Sequence, residues 1–247
     1  MSGNNQESVI IEIRAGTGGQ ESALFANDLF RMYFRYASLK EWKQKILESK
    51  PSDLGGLKEV IFELSGPNAL SEMQHEGGVH RVQRIPKTEK RGRIHTSTAT
   101  VAVLEKPKET DIKIRPEEIR VDFYRSSGPG GQYTNKRETA VRITYLPTGL
   151  VATSQTERNQ LQNKENAMAV LQARVSEQKR HESLAKLDKT RRSQIKWAKR
   201  SDKIRTYNFP QDRLTDHRIK KSFHDLEAIM GGRLDKLLKA LNKSLQE

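Results

Sequence analysis

The chain has 247 residues and no cysteine, and its 45 Lys+Arg against 31 Asp+Glu leave a net charge of +14 at pH 7. That length holds two or three small cores, and the lack of cysteine excludes disulfides and thiolate metal sites. The positive surplus favours a polyanion, most simply a nucleic acid, over a membrane, since no apolar run is long enough to span and no lipidation signal is present. The polar start, Met1 to Gln6, does not read as a signal peptide, and with the missing cysteines it leads us to expect a cytoplasmic protein.

Residues 8–14 alternate around Val9, Ile11 and Ile13 and predict a strand, which Gly16-Thr17-Gly18-Gly19 breaks. From Glu21 to about Leu39 a helix is expected, because Leu24, Phe25, Leu29, Tyr33 and Tyr36 fall near one face. Glu21 lies in its first turn, where the helix dipole favours a carboxylate. Gln20 completes a Gly-Gly-Gln triplet, but it stands at this helix entry beside a carboxylate and reads as a helix-start element. Strands around Lys43–Leu47 and Val60–Leu64, the second ended by Ser65-Gly66-Pro67, complete a first α+β unit.

Residues 75–97 mix short apolar steps with many donors and read as a loop offering Arg81, Arg84, Arg91, Arg93, His95 and Thr96 to RNA. Within it, His75-Glu76 and His80 fail as a zinc-protease pattern, because the histidines are five apart and Gly77-Gly78 interrupts any helix able to present both. Ala99–Leu104 is an apolar strand, and the charged link Glu105 to Thr110 marks a domain boundary.

In the second unit Ile119–Tyr124 and Ala140–Tyr145 read as strands, with Leu146-Pro147-Thr148-Gly149 turning into Leu150–Ser154. Between the first two lies Arg125-Ser126-Ser127-Gly128-Pro129-Gly130-Gly131-Gln132-Tyr133-Thr134-Asn135-Lys136-Arg137, with no aliphatic anchor and a cationic rim. Gly130 and Gly131 can take positive φ, so backbone amides and the Gln132 side chain can meet a partner closely. The loop has no carboxylate, histidine or cysteine and therefore no general base of its own, so any chemistry here needs a partner to supply much of the site. A long helix is expected from about Asn159 to Arg192, with Leu161, Met168, Leu171 and Val175 as its apolar stripe. The basic run Arg191 to Arg205 is either a nucleic-acid arm or a linker, and Trp197 within it either a packing anchor or a stacking platform. A helical piece with Leu226, Ile229, Leu234, Leu237, Leu238 and Leu241 closes the chain around Gly231-Gly232.

Five separated motifs, in order, carry a resemblance: Arg14-Ala15-Gly16-Thr17-Gly18-Gly19, Gly78-Val79-His80-Arg81-Val82-Gln83-Arg84, Gly92-Arg93-Ile94-His95-Thr96-Ser97, the Gly130-Gly131-Gln132 loop, and Arg205-Thr206-Tyr207-Asn208-Phe209-Pro210. Together they resemble the bacterial or organellar class-I peptide-chain release factors. Pro86-Lys87-Thr88 stands where that family carries a Pro-x-Thr tripeptide in its UAA/UAG readers and Ser-Pro-Phe in its UAA/UGA readers. The resemblance implies translation termination at UAA and UAG, with the mRNA stop codon, the 16S and 23S rRNA of the ribosome and peptidyl-tRNA as partners, and neither cofactor nor metal. Such a factor triggers ester hydrolysis together with the ribosome and is not an enzyme alone. A codon-independent rescue factor using the same loop is the alternative.

Residue by residue, the resemblance implies that Gly18 and Glu21 contact the first uracil and that Thr88, in Pro86-Lys87-Thr88, helps read the first two bases. His95 would stack on the second base, and Gln83 and Thr96 would face the third, where groups able to donate or accept satisfy both adenine and guanine. Gln132 would reach the ester, its backbone N–H stabilising developing negative charge as an oxyanion donor does, with Gly130 and Gly131 permitting the pose. The family also implies N-methylation of Gln132 by a glutamine methyltransferase. Its members usually carry a further N-terminal helical domain, on the order of a hundred residues. The expected fold is α+β and multi-domain: a codon-reading α/β sandwich-like unit over 1–105, a hydrolysis domain over 110–195, a basic switch-like linker over 196–205, and a helical C-terminal piece over 206–247 packing with the first unit.

Overall fold

The alternation of Val9, Ile11 and Ile13 forms strand β1 (Glu7–Ala15), and all three side chains are fully buried. In this computed structural model, which describes residues 7–53, 55–86, 89, 91–106, 114–126, 137–195 and 200–245, β1 lies within an eight-stranded sheet. Chain order then gives β2 (Lys43–Pro51), β3 (Leu57–Gly66), β4 (Gly78–Arg84) and β5 (His95–Glu105). Three further strands, β6 (Ile119–Tyr124), β7 (Ala140–Tyr145) and β8 (Leu150–Ser154), make a separate sheet. The large sheet is completed by β9 (Lys203–Asn208), β10 (Arg213–Asp216) and β11 (Lys221–His224), in the order β11-β10-β9-β4-β5-β1-β3-β2. Its pairings are antiparallel except β4 with β9, where the returning chain is inserted parallel.

Helix α1 (Gln20–Leu39) covers one face of this sheet. Phe25, Leu29, Met32, Tyr33 and Tyr36 pack there against Val60, Phe62, Leu64, Val101 and Val103, each large side chain contributing roughly 1.5–3 kcal/mol of apolar burial. Leu24, expected on that stripe, is only half-buried. The short helices α2 (Ala69–Met73), a turn the sequence pattern did not reveal, and α4 (Leu226–Met230) flank α1, and α5 (Asp235–Leu245) adds Leu237, Leu238 and Leu241 to the same core.

Helix α3 (Gln160–Ile195) divides between two compact units: Met1–Lys106 with Leu187–Glu247, and Pro107–Lys186. The boundary falls inside the helix, earlier than the expected end of the second domain at 195, because the helix end bonds the large sheet. Gln194 donates from Nε2 to the Val103 carbonyl at 2.9 Å and accepts from the Val103 amide at 2.8 Å, and Arg191 pairs with Glu12 at 2.8 Å. In the second unit the strip facing β6–β8 is Asn163, Ala167, Leu171 and Val175, with Met168 beside it. Leu161, expected in that stripe, is 60% exposed, since the true stripe runs in steps of four from the polar Asn163.

Residues 78–84 and 95–97 are not loop: β4 and the start of β5 form a ladder from Gly78↔Val101 to Arg84↔His95, driven by burial of Val79, Val82 and Ala99. The C-terminal piece is not purely helical, since β9–β11 extend the large sheet before the helices begin. Lys203, Ile204 and Arg205, read as the end of a basic arm or linker, lie in β9, where Arg205 is fully buried. Residues 196–199, with Trp197, lie outside the described residues.

Candidate functional site

The entry to α1 is built on glycine. Gly18 has φ 138° and Gly19 φ 59°, and a Cβ on Gly18 would meet Ser97 Oγ at 2.2 Å. The preceding residues are laced to β5: Gly16 N donates to Thr98 O, Thr17 N to Thr98 Oγ1 and Thr98 N to Thr17 O, each at 2.9 Å. The tip of α1 is therefore held against the strand that carries His95 and Thr96. Ser22 Oγ closes the first turn by donating to Gly19 O at 2.6 Å.

Glu21 in that first turn is buried, and Arg84 Nε donates to its Oε1 at 2.5 Å. On the adjoining strands the register places Gln83 opposite Thr96 and Arg84 opposite His95. Val82 lies in the core beneath α1 and Arg84 reaches α1, so the pleat turns Gln83 and Thr96 together toward the opposite face. The residues expected to meet the third base are thus neighbours, on the other side of the sheet from Glu21.

His95 is half-exposed and its Nε2 lies 2.9 Å from Glu89 Oε2, which also pairs with Arg93 at 3.2 Å. The Arg91 backbone amide, then Arg93 and His95, hold the Glu89 carboxyl below its ordinary range. Pro86 is buried; Lys87 and Thr88 lie outside the described residues.

Beneath these groups lies a buried ionic cluster that the sequence pattern did not reveal. Arg205 donates from Nη1 to Glu76 Oε2 at 2.6 Å and from Nη2 to Glu76 Oε1 at 2.7 Å, and pairs with Asp216 at 3.3 Å, all three residues being fully buried. Arg218 also holds Asp216, donating from Nη2 to the same Oδ2 at 2.7 Å and from Nε to Oδ1 at 3.1 Å, and Tyr33 donates to Glu76 at 2.8 Å. Burial pushes the Glu76 carboxyl up, but the Arg205 charge and hydrogen bonds outweigh it and hold it low. His80 is fixed as a neutral tautomer: the Glu76 carbonyl can only accept, so Nε2–H donates to it at 2.9 Å and Nδ1 accepts from Tyr207 Oη at 3.1 Å. Burial, with the Arg205 charge, pushes His80 down to about 4.

This cluster makes the first unit acid-sensitive. Between His80's ordinary value of 6.5 and about 4, the unfolded imidazole binds a proton that the folded one does not. Stability therefore falls with pH across that window, by roughly 3 kcal/mol in all. Glu76 and Asp216, held low, add a further loss below the ordinary carboxylate range. Thermal melts of wild type and His80→Gln at about pH 7 and about pH 4.5 test this. The midpoint of the wild type falls more steeply than that of the variant; parallel slopes would show that His80 does not carry the effect.

In the second unit Tyr124 and Ala140 are register partners, so the loop from 125 to 139 springs from adjacent strand ends. Its returning end is anchored by α3: Gln160 Nε2 donates to Glu138 O and Asn163 Nδ2 to Thr139 O, both at 2.9 Å. Asn163 is fully buried, and its Oδ1 accepts from Ser154 Oγ at 3.0 Å and from the Glu157 amide at 3.1 Å. Arg125, Arg137 and Arg158 line an open recess at the loop base. Gly130, Gly131 and Gln132 lie outside the described residues. Among the described residues no group of three or more His, Asp and Glu side chains could hold a metal, and no helix is long and apolar enough to cross a membrane.

Residues 1–101 match the PCRF domain and residues 108–218 the RF-1 domain. Peptide chain release factor 1 of Thermotoga maritima is 52% identical over 241 residues, which make up 98% of this chain and 70% of that protein. The chain belongs to the peptide chain release factor family. Peptide chain release factor 1 of Carboxydothermus hydrogenoformans is 54% identical over 238 residues, 96% of this chain and 66% of that relative. The chain thus spans about two thirds of the length of the curated relatives it matches. A solved structure of RF2 of Thermus thermophilus superposes with a TM-score of 0.59 at 35% identity, covering 96% of this chain and 68% of that one. Within this family, sequence reasoning missed two supports: Arg84, expected to contact RNA, and Asn163, to which it assigned no role. A polar residue in step with Ala167, Leu171 and Val175 is the signal that marks Asn163.

Proposed function

We propose that this chain acts in translation termination, reading UAA and UAG in the ribosomal A site and promoting hydrolysis of the peptidyl-tRNA ester. The observation that carries the codon-reading half is the placement of Gly18, Glu21, Gln83, His95 and Thr96, from α1, β4 and β5, at one end of one sheet, with Glu21 on the α1 face and Gln83 beside Thr96 on the other. Mixed donors and acceptors there, under a net charge of +14, suit single-stranded RNA read by hydrogen bonding and stacking. Identity above 50% to relatives named peptide chain release factor 1, and the Pro86-Lys87-Thr88 tripeptide, support UAA and UAG over UAA and UGA.

In this reading the first compact unit reads the mRNA, the second delivers Gly130-Gly131-Gln132 to the ester, and the basic stretch that precedes β9, residues 196–202, acts as the switch-like linker. The 16S rRNA surrounds the codon reader and the 23S rRNA surrounds Gln132, whose backbone N–H stabilises the developing oxyanion. The absence of a general base in the loop assigns the remaining chemistry to the ribosome, so the protein is not an enzyme by itself. Gln132 is the substrate of a glutamine methyltransferase, and the protein works in the cytoplasm, where ribosomes terminate. A rescue factor would have no use for the paired Gln83 and Thr96 or the tethered His95.

The test is release of labelled peptide from ribosomes stalled with UAA, UAG, UGA or a sense codon, comparing wild type with Gln132→Ala. Release on UAA and UAG, lost in the variant, is the expected result. Equal release on every codon would replace the reading by ribosome rescue, and release unaffected by Gln132→Ala would remove the loop from the chemistry.

A further inference from the structure

Arg84 is the last residue of β4, directly after Gln83, and its side chain leaves the sheet for α1. There it bridges two carboxylates on one face of the helix. Nε meets Glu21 Oε1 at 2.5 Å and Nη1 meets Asp28 Oδ2 at 2.7 Å, and the guanidinium lies 5.3 Å from the centre of the Phe209 ring. Glu21 is 4% exposed, Arg84 is its one ion-pair partner among the described residues, and its Oε2 has no hydrogen-bond partner there. A carboxylate so placed keeps its position through the arginine. Planar, two-pronged donation to Glu21 and Asp28 fixes both the rotation and the height of the first turns of α1 against β4.

We propose that Arg84 is a positioning residue for codon reading, locking the Glu21 end of α1 to the strand that carries Gln83 so that the reader of the first base is held at fixed distance from the readers of the third. This rests on the codon-reading function proposed above. The arginine need not touch RNA: its two prongs are occupied within the protein, and the Phe209 ring covers it. Lysine at this position keeps the charge but, as a point donor on a flexible stem, cannot span both carboxylates in one geometry.

The test uses the full chain as wild type, Arg84→Lys and Asp28→Asn, with peptide release measured on UAA, on first-position mismatches CAA and GAA, and on the third-position mismatch UAC. Arg84→Lys is expected to raise the half-saturating concentration on UAA about tenfold and to erode discrimination against CAA and GAA similarly, the loss of one charge-assisted contact. The maximal release rate and the discrimination against UAC are retained. Asp28→Asn shifts the same quantities in the same direction by less, and carries the test should Arg84→Lys fail to fold in a thermal melt. First-position discrimination unchanged in folded variants, or eroded equally at both positions, would overturn the role of Arg84 while leaving codon reading intact. A wild type that does not discriminate at all would overturn codon reading itself, and this inference with it.

Discussion

Arg205→Met destabilises the first unit by about 3–5 kcal/mol, because removing one partner of a buried ion pair strands the other without compensation. Here two carboxylates lose their shared cation. Glu76 loses both prongs of the guanidinium and, among the described residues, keeps only the Tyr33 hydroxyl, whereas Asp216 retains Arg218. Glu76 therefore carries most of the cost. Arg205→Lys recovers little, since a single ammonium cannot reproduce the paired donation to Glu76. The double variant Arg205→Met with Glu76→Met recovers most of the loss, leaving Asp216 with Arg218 and removing the orphaned charge. Denaturant unfolding of the four proteins measures this. A single variant within about 1 kcal/mol of wild type would mean that the cluster relaxes or admits water on losing its cation.

Asn163→Ala destabilises the second unit by about 2–4 kcal/mol, because one truncation leaves several buried or half-buried groups unpaired. The side chain makes four bonds, to Ser154 Oγ, the Glu157 amide, the Glu157 carbonyl and the Thr139 carbonyl. It thereby joins the start of α3, the end of β8 and the returning end of the Gln132-bearing loop. Hydrogen exchange locates the effect. Amides of β6–β8 lose protection, while those of β1, β3 and β5 keep theirs, as expected when the core of one compact unit is weakened. In peptide release the variant slows the maximal rate with the half-saturating concentration on UAA preserved, the opposite split from Arg84→Lys. Equal loss of protection in both units, or a change confined to codon affinity, would contradict this assignment.

Local pattern carried much of the architecture. β6, β7 and β8 stand where alternation and the Pro147-Thr148-Gly149 turn put them, and α1 begins one residue before its expected start. The stretch 78–84 was misjudged because its donors outnumber its apolar residues. Val79 and Val82 are buried, but they do not alternate, and His80 is buried as a polar group whose bonds come from Glu76 and Tyr207. Leu161 misled for the converse reason: a leucine near a helix start fits an apolar stripe by type, yet it is 60% exposed, off the stripe that runs from Asn163 to Val175. Of the candidate site, Glu21, Gln83, His95 and Thr96 could be named from motifs alone, but not that Gln83 and Thr96 face away from Glu21.

The sequence by itself determined the charge, the strand and helix periods, the glycine break before α1, and the loop chemistry that lacks a base. Each of these is a property of residues close together in the chain. Only the tertiary structure decided that Arg84 serves Glu21 and Asp28, that Arg205 is a buried cation between Glu76 and Asp216, and that β9 lies parallel to β4. Whether an arginine faces solvent, RNA or a buried carboxylate depends on partners far along the chain. Arg205 and Glu76 are separated by 129 positions, and no local pattern reports a pairing made only when the sheet closes.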